Sequence, residues 1–241
     1  MPVRLNEFGQ AIGDAVPVWS ARSLPPRKAL EGRFCTLEPL DADRHAADLY
    51  DAYSAANDDR DWTYLANNRF TDLDSYFAYA QKSAASADPM HFAVIDRRSA
   101  LAIGTLSLMR MDPANGVIEV GWVTYSPVLK QTTASTEAQF LFMQLVFDEL
   151  GYRRYEWKCD NFNEPSKRTA ARLGFRFEGI FRQAVVYKGR SRDTAWFSII
   201  DSEWPAVRAG FQAWLSPANF DDQGRQRATL ELLRCGGRVE A

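Results

Sequence analysis

The sequence predicts an α/β (α+β) domain in which helices pack on a mixed β-sheet. Three observations point there. Strand-like and helix-like segments follow in the order strand, two helices, several strands, then helix, strand, helix, strand, strand. Residues 136–150 are apolar almost all round, through Ala138, Leu141, Phe142, Leu145 and Val146, as a buried helix requires. The punctuation between segments is of the kind that stops helices and turns strands: Asp112-Pro113-Ala114-Asn115-Gly116, Gly151, Gly174 and Lys188-Gly189-Arg190.

Residues 1–30 carry Pro2, Pro17, Pro25 and Pro26 with little periodicity. They read as an extended arm anchored by Phe8 and Trp19, or as a disordered tail. The domain is expected over residues 31–215. Phe34 and residues 36–40 form a strand. Asp41 then precedes Ala46, Leu49, Tyr50 and Tyr53, which recur at helical spacing. A second helix is expected over 71–85, with Thr71 as N-cap and Asp72 and Asp74 in its first turn, where the helix dipole favours them. Strands are expected at 91–96, 101–109, 117–125 and 153–159, and a helix over 165–173 that Gly174 ends. Strands at 175–182 and 194–200 flank the turn at Gly189, and a terminal helix spans 202–215. Residues 216–241 read as a polar tail with a weak helical stretch near Leu230.

Composition excludes several classes of function. A net charge of -2 gives no basic footprint for nucleic acid, and Arg190 and Arg192 read as a solvated turn. Cys35, Cys159 and Cys235 lie far apart, and with only His45 and His91 no metal cluster follows from spacing. No apolar run of about 18 residues spans a membrane, and no signal segment opens the chain. A cytoplasmic, reducing setting is the expectation. The apolar terminal helix with Trp204, Phe211 and Trp214 packs on the domain or on a partner, which leaves a homodimer open.

Two segments offer chemistry. The first is strand 117–125, then Leu129 to Ser135, then a helix expected to begin at Thr136. A helix N-terminus presents unpaired N–H groups and partial positive charge to a phosphate. Lys130 adds charge there, and Thr132, Thr133 and Ser135 add hydroxyls, although such clusters also serve as plain caps. The second is Asn163-Glu164-Pro165-Ser166. Asn163 fits an N-cap, and Ser166 shares the packed face of Ala170 and Leu173, whereas Lys167, Arg168 and Arg172 point elsewhere. Ser166 either donates to a ligand or bonds the backbone.

Together, Ile118-Glu119-Val120-Gly121-Trp122-Val123, the loop with Thr136-Glu137-Ala138, and Asn163 to Ser166 running on to Arg172-Leu173-Gly174-Phe175 and Glu178-Gly179 resemble the GCN5-related N-acetyltransferase (GNAT) superfamily. The likeness is to its branch of Rim-type ribosomal-protein N-terminal acetyltransferases, over roughly residues 32–205. The resemblance implies a mostly antiparallel twisted sheet whose central parallel strands splay apart around acetyl-CoA, with no metal. It implies that the backbone of Val123, Thr124 and Tyr125 pairs with the pantetheine arm. Gln131, Thr132, Thr133, Ala134, Ser135 and Thr136 would hold the pyrophosphate, Asn163 the pantetheine or acetyl end, and Ser166 would protonate the leaving thiolate. One departure stands out. Lys130, Thr133 and Ser135 occupy positions where the family has Arg or Gln, Gly, and Gly or Ala, and those glycines let the backbone approach phosphate. The alternative function is therefore a non-catalytic or weakly CoA-binding relative acting as a binding or regulatory module.

An amine must lose a proton before it attacks a thioester, so a base is needed. Glu119 is the candidate: a mid-strand carboxylate whose burial would raise its pKa, unless it lies on the solvated face. N–H groups near Val123 would polarise the carbonyl. Trp62, Tyr64 and Trp122 are the expected aromatic surface for the acceptor, a small-molecule amine or a peptide N-terminus. Asp58, Asp59 and Asp61 would attract a cationic one, or are merely solvated.

Overall fold

Apolar central strands, nearly continuously buried in β-strand 90–96 and more exposed toward 176–187, pair edge to edge in the computed structural model. It describes residues 3–236, so Pro2 of the expected arm and residues 237–241 of the expected tail lie outside the described residues. A small hairpin pairs β1 (Arg4–Leu5) with β2 (Ala11–Ile12). The main sheet comprises β3 (Leu30–Glu31), β4 (Cys35–Pro39), β5 (Met90–Asp96), β6 (Ala102–Asp112), β7 (Val117–Tyr125), β8 (Arg154–Asp160), β9 (Arg176–Tyr187) and β10 (Arg190–Ile200). Its order is β3-β4-β5-β6-β7-β8-β10-β9. Every neighbouring pair is antiparallel except the central β7 and β8, which are parallel. The helices are α1 (Ala42–Ser54), α2 (Leu73–Ala85), α3 (Thr133–Gln144), α4 (Glu164–Leu173), α5 (Trp204–Leu215) and α6 (Leu230–Arg234).

The two faces of the sheet are filled differently. Phe92, Leu106, Leu108, Ile118, Val120 and Tyr155 meet Phe142 of α3 and Phe211 of α5, all buried. Each such side chain contributes about 1.5–3 kcal/mol on burial. On the opposite face, Leu49, Tyr53, Tyr76 and Ala80 of α1 and α2 pack over Ala93 and Ala102. The carboxylate of Glu137, buried on α3, accepts N–H bonds from Arg33, Phe34 and Cys35 at 2.8, 2.6 and 2.9 Å and so ties the turn before β4 to α3.

Several boundaries differ from the sequence expectation. The N-cap of α2 is Asp72, not Thr71: its carboxylate accepts from Ser75 N at 2.7 Å, and a charged acceptor suits a helix N-terminus better than a hydroxyl. The Thr71 hydroxyl instead donates to Asp72 at 3.0 Å. Helix α3 begins at Thr133, because Thr132 adopts the extended cap conformation, and its last turn widens into a π-turn over Leu145–Glu149. Strands β9 and β10 run to Tyr187 and from Arg190, because Lys188 and Gly189 both take positive φ (48° and 68°), and such a two-residue turn matches strand twist.

The arm and the tail also differ. Phe8 is 78% exposed and anchors nothing, whereas Trp19 donates its indole N–H to Ala114 O at 2.8 Å. The expected polar tail buries Ala228, Leu230 and Leu233 in the main core, and its α6 packs on α4 and α5. Trp204, Phe211 and Trp214 are buried within the domain itself. Among the described residues, no helix is long and apolar enough to cross a membrane.

Candidate active site

A parallel pair that separates is the first feature of the site. Pairing runs from Val117↔Arg154 to Val120↔Trp157 and stops, although β7 continues to Tyr125 and β8 to Asp160. A bulge causes the departure. Between Ser107↔Gly121 and Thr105↔Thr124, two residues of β7 oppose one of β6, and Trp122 sits at a φ of 49°. Beyond the bulge, β7 has no strand partner on its β8 side. Tyr53 of α1 braces this stretch by donating to Thr124 O at 3.0 Å.

Beyond the split lies a cavity of about 510 Å³. Val123, Tyr125, Gln131, Thr132, Ser135 and Thr136 line one side, and Asn163, Ser166 and Arg172 another. Gln131 takes a φ of 60°, which turns the chain into α3. The hydroxyls here are mostly engaged. Thr132 Oγ1 donates to Leu129 O at 2.7 Å and accepts from Ser135 N at 3.2 Å, while Ser135 Oγ donates to Thr132 O at 2.7 Å. They cap the helix, so the groups left to hold an anion here are backbone N–H groups and cations. Thr133 and buried Ala134 do not line the cavity, and Thr124 lines only a small neighbouring one. Two cations do line it. Lys130 pairs with Asp61. Arg172 does not point elsewhere as expected: its guanidinium donates to Thr136 Oγ1 at 3.0 Å and lies 5.3 Å from the Trp214 ring centroid. Gln139 Oε1 is buried here without a partner. Cations, a helix N-terminus and a split sheet edge fit the phosphates and amide-bearing arm of acetyl-CoA.

A second cavity, of about 250 Å³, lies on the side that Glu119 and Lys158 face. Tyr64, Trp122, Met109 and Arg192 line it as well. Trp62 does not; it is 5% exposed and packs edge-on to Tyr53. Glu119 is buried, not on a solvated face. Lys158 Nζ lies 2.9 Å from Glu119 Oε2 and 2.7 Å from Glu156 Oε2, with Arg110 Nε 3.4 Å from Glu119. Burial pushes the Glu119 carboxyl above the ordinary carboxylate range, against the pull of Lys158 and Arg110. Asp58, Asp59 and Asp61 pair with Arg60, Arg69 and Lys130 and leave no free acidic run for a cationic acceptor.

The two cavities share four residues: Val123, Trp157, Asn163 and Ser166. Asn163 caps α4 by accepting from Ser166 N at 3.1 Å, which leaves its amide N–H₂ to donate. Sequence reasoning passed over Trp157, Lys158, Arg172, Arg192, Trp214 and Gln226. For Lys158 one signal existed: it alternates in β8 with Glu156 on the face of Glu119. Gln226 gave none.

Residues 35–176 match the family model described as acetyltransferase (GNAT) domain. The chain is 51% identical to a GCN5-related N-acetyltransferase from Brucella melitensis of known crystal structure. That match covers 91% of this chain and 100% of the other at a TM-score of 0.90. It is 39% identical to a probable acetyltransferase (GNAT family) from Chromobacterium violaceum ATCC 12472, over 81% of this chain and 98% of that one, at a TM-score of 0.75. Its likeness to the uncharacterized N-acetyltransferase YnaD of Bacillus subtilis (strain 168) is 24% over 152 residues, which is 63% of this chain and 87% of the relative.

Proposed function

The chain belongs to the GNAT acetyltransferase domain family, and from that premise we propose that it moves an acetyl group from acetyl-CoA onto a primary amine by direct attack. The observation that carries this reading is the junction of the two cavities at Val123, Trp157, Asn163 and Ser166. A donor on one side and an amine on the other meet only there.

When bound, acetyl-CoA supplies a thioester carbonyl that an uncharged amine attacks with release of the CoA thiolate. Lys130, Arg172 and the N–H groups opening α3 hold its phosphates, and the free edge of β7 at Val123 to Tyr125 pairs with its amide arm. N–H groups near Val123 face the developing oxyanion. Glu119 takes the proton of the incoming amine, directly or through water, and burial raises its pKa, which makes it a better base than an exposed carboxylate. Ser166 gives its hydroxyl proton to the departing thiolate and regains one, through water, from the nitrogen that sheds it on becoming an amide. The acceptor is a small-molecule amine or a protein N-terminus.

Titration of the purified protein with acetyl-CoA in a calorimeter, followed by thiol release with a broad amine panel, tests this. Binding and amine-dependent thiol release are expected. Binding without acceleration by any amine would instead favour a CoA-binding regulatory role. That alternative has one observation behind it, the engagement of Thr132 and Ser135 in capping.

A further inference from the structure

Buried polar atoms normally find partners, and each that does not costs about 1–3 kcal/mol. Eight buried side-chain atoms lack a hydrogen bond among the described residues. Four of them belong to one patch: Glu119 Oε2 and Lys158 Nζ, which meet each other as an ion pair at 2.9 Å, and Arg192 Nε and Thr194 Oγ1, which meet no polar partner among the described residues. Register places them together. Glu119 lies beside Glu156 across β7 and β8, Lys158 lies opposite Trp196, and Thr194 lies opposite Asp160 across β8 and β10, with Arg192 two residues further along β10. Glu119, Lys158 and Arg192 line the acceptor cavity.

The charges are not equally free. Lys158 is held between Glu119 and Glu156, and its ammonium sits 3.6 Å from the Trp196 ring centroid. Asp160 accepts from the Tyr187 hydroxyl at 2.8 Å. Arg192 forms no ion pair among the described residues, yet its Nε is buried and the side chain borders the cavity. The expected solvated turn is thus not where Arg192 lies. The hairpin tip is fastened to the loop that runs on to Tyr64 of the cavity lining, with Lys188 and Arg190 donating to Trp62 O and Thr63 O at 2.7 and 2.5 Å, and Arg192 lines the same cavity.

We propose that the acceptor is an amine bearing its own anionic group, a carboxylate or a phosphate, which the Arg192 guanidinium binds while the amine reaches toward Glu119 and Ser166. The cavity then offers the unpaired Arg192 for the anion, and the ion-paired carboxylate of Glu119 for the proton of the amine. A planar guanidinium presents paired N–H groups to such an anion. This rests on the transferase reading and narrows its substrate class.

The test compares thiol release for the twenty common L-amino acids with their α-carboxamides, and O-phosphoethanolamine with ethanolamine. At least one anionic member is expected to exceed its uncharged partner by about tenfold or more in kcat/KM, chiefly through KM. Arg192→Gln should collapse that ratio toward one, and Arg192→Lys should keep part of it; thermal melting confirms that both variants fold. Calorimetry of the same pairs against the CoA-loaded protein reads the preference without turnover. The proposal is overturned if no anionic member is preferred, or if the preference survives in Arg192→Gln. Preference for a phosphate alone, or for a carboxylate alone, supports it and names the anion. Failure of acetyl-CoA to bind would instead overturn the transferase reading, which keeps the two failures distinct.

Discussion

Trp157 donates its indole N–H to the Ser166 hydroxyl oxygen at 3.0 Å, where the two cavities meet. An indole N–H donates only, so this bond fixes the Ser166 oxygen and leaves its proton to be given elsewhere. In the reaction proposed above, the leaving thiolate would take it.

Ser166→Ala is therefore expected to lower kcat by about 10- to 100-fold with little change in KM for acetyl-CoA, since proton transfer of this kind contributes about that much or more. Trp157→Phe keeps the ring and loses the N–H, and should lower kcat by a smaller factor. Steady-state kinetics with full turnover in Ser166→Ala would remove the serine from the mechanism.

Glu119 must be unprotonated to act as base. Its pKa is raised by burial, so the acid limb of the rate profile should lie above the ordinary carboxylate range. Lys158 holds that value down. Lys158→Gln should move the limb to still higher pH, and Glu119→Gln should lower turnover and abolish the limb. A profile of kcat/KM against pH that is the same in all three proteins would exclude Glu119.

Arg172 is the cation of the donor cavity that has no carboxylate partner among the described residues. Replacing it with Met keeps a stem to pack on Trp214 and removes the charge. The Kd for acetyl-CoA should rise about tenfold, which is about 1.4 kcal/mol. The wild-type affinity should also weaken with salt more steeply than that of the variant. Equal affinities by calorimetry would remove Arg172 from phosphate binding.

His91 is buried in the sheet, and burial, with the charge of Arg27, pushes its imidazole down from 6.5 to about 4. The unfolded chain takes up this proton below about 6.5, whereas the folded one does not until about 4, so stability falls as pH drops through that window. Between pH 7 and pH 5 this group alone should remove about 2 kcal/mol. Urea unfolding of His91→Gln should show a shallower loss; His45, depressed in the same direction, accounts for part of what remains. Parallel curves for the two proteins would contradict the assignment.

Much of the fold was legible because its signals are local. The bounds of β7, the Asn163 cap, and the stop at Gly174 each follow from a few adjacent residues. The start of α3 was not, because Thr132, Thr133, Ser135 and Thr136 all offer a capping hydroxyl and only backbone conformation selects among them. The site was legible where it depends on strand or helix faces, as for Ser166 and the burial of Glu119. It was not where long side chains cross between elements. The guanidinium of Arg172 leaves the polar face of α4 and reaches α3, and a helical wheel shows only where such a stem begins. Trp62 looked like a binding ring because it lies on an aromatic loop beside Tyr64, but Tyr53 and Arg69 pack against it and it is buried.

Trp214 and Gln226 line the donor cavity, and Trp214 donates to Gln226 at 3.2 Å. A wall of the cleft is thus made late in synthesis, after β7 and α3 and shortly before α6. While a ribosome still holds residue 226, β7 and α3 are already made but the cleft is open on one side. Acetyl-CoA, by touching both early and late segments, would act as a clasp that favours the docked end of the chain. Limited proteolysis should show this directly, with cuts between α5 and α6 slowed by acetyl-CoA; equal cutting rates with and without it would mean that the end docks independently of the ligand.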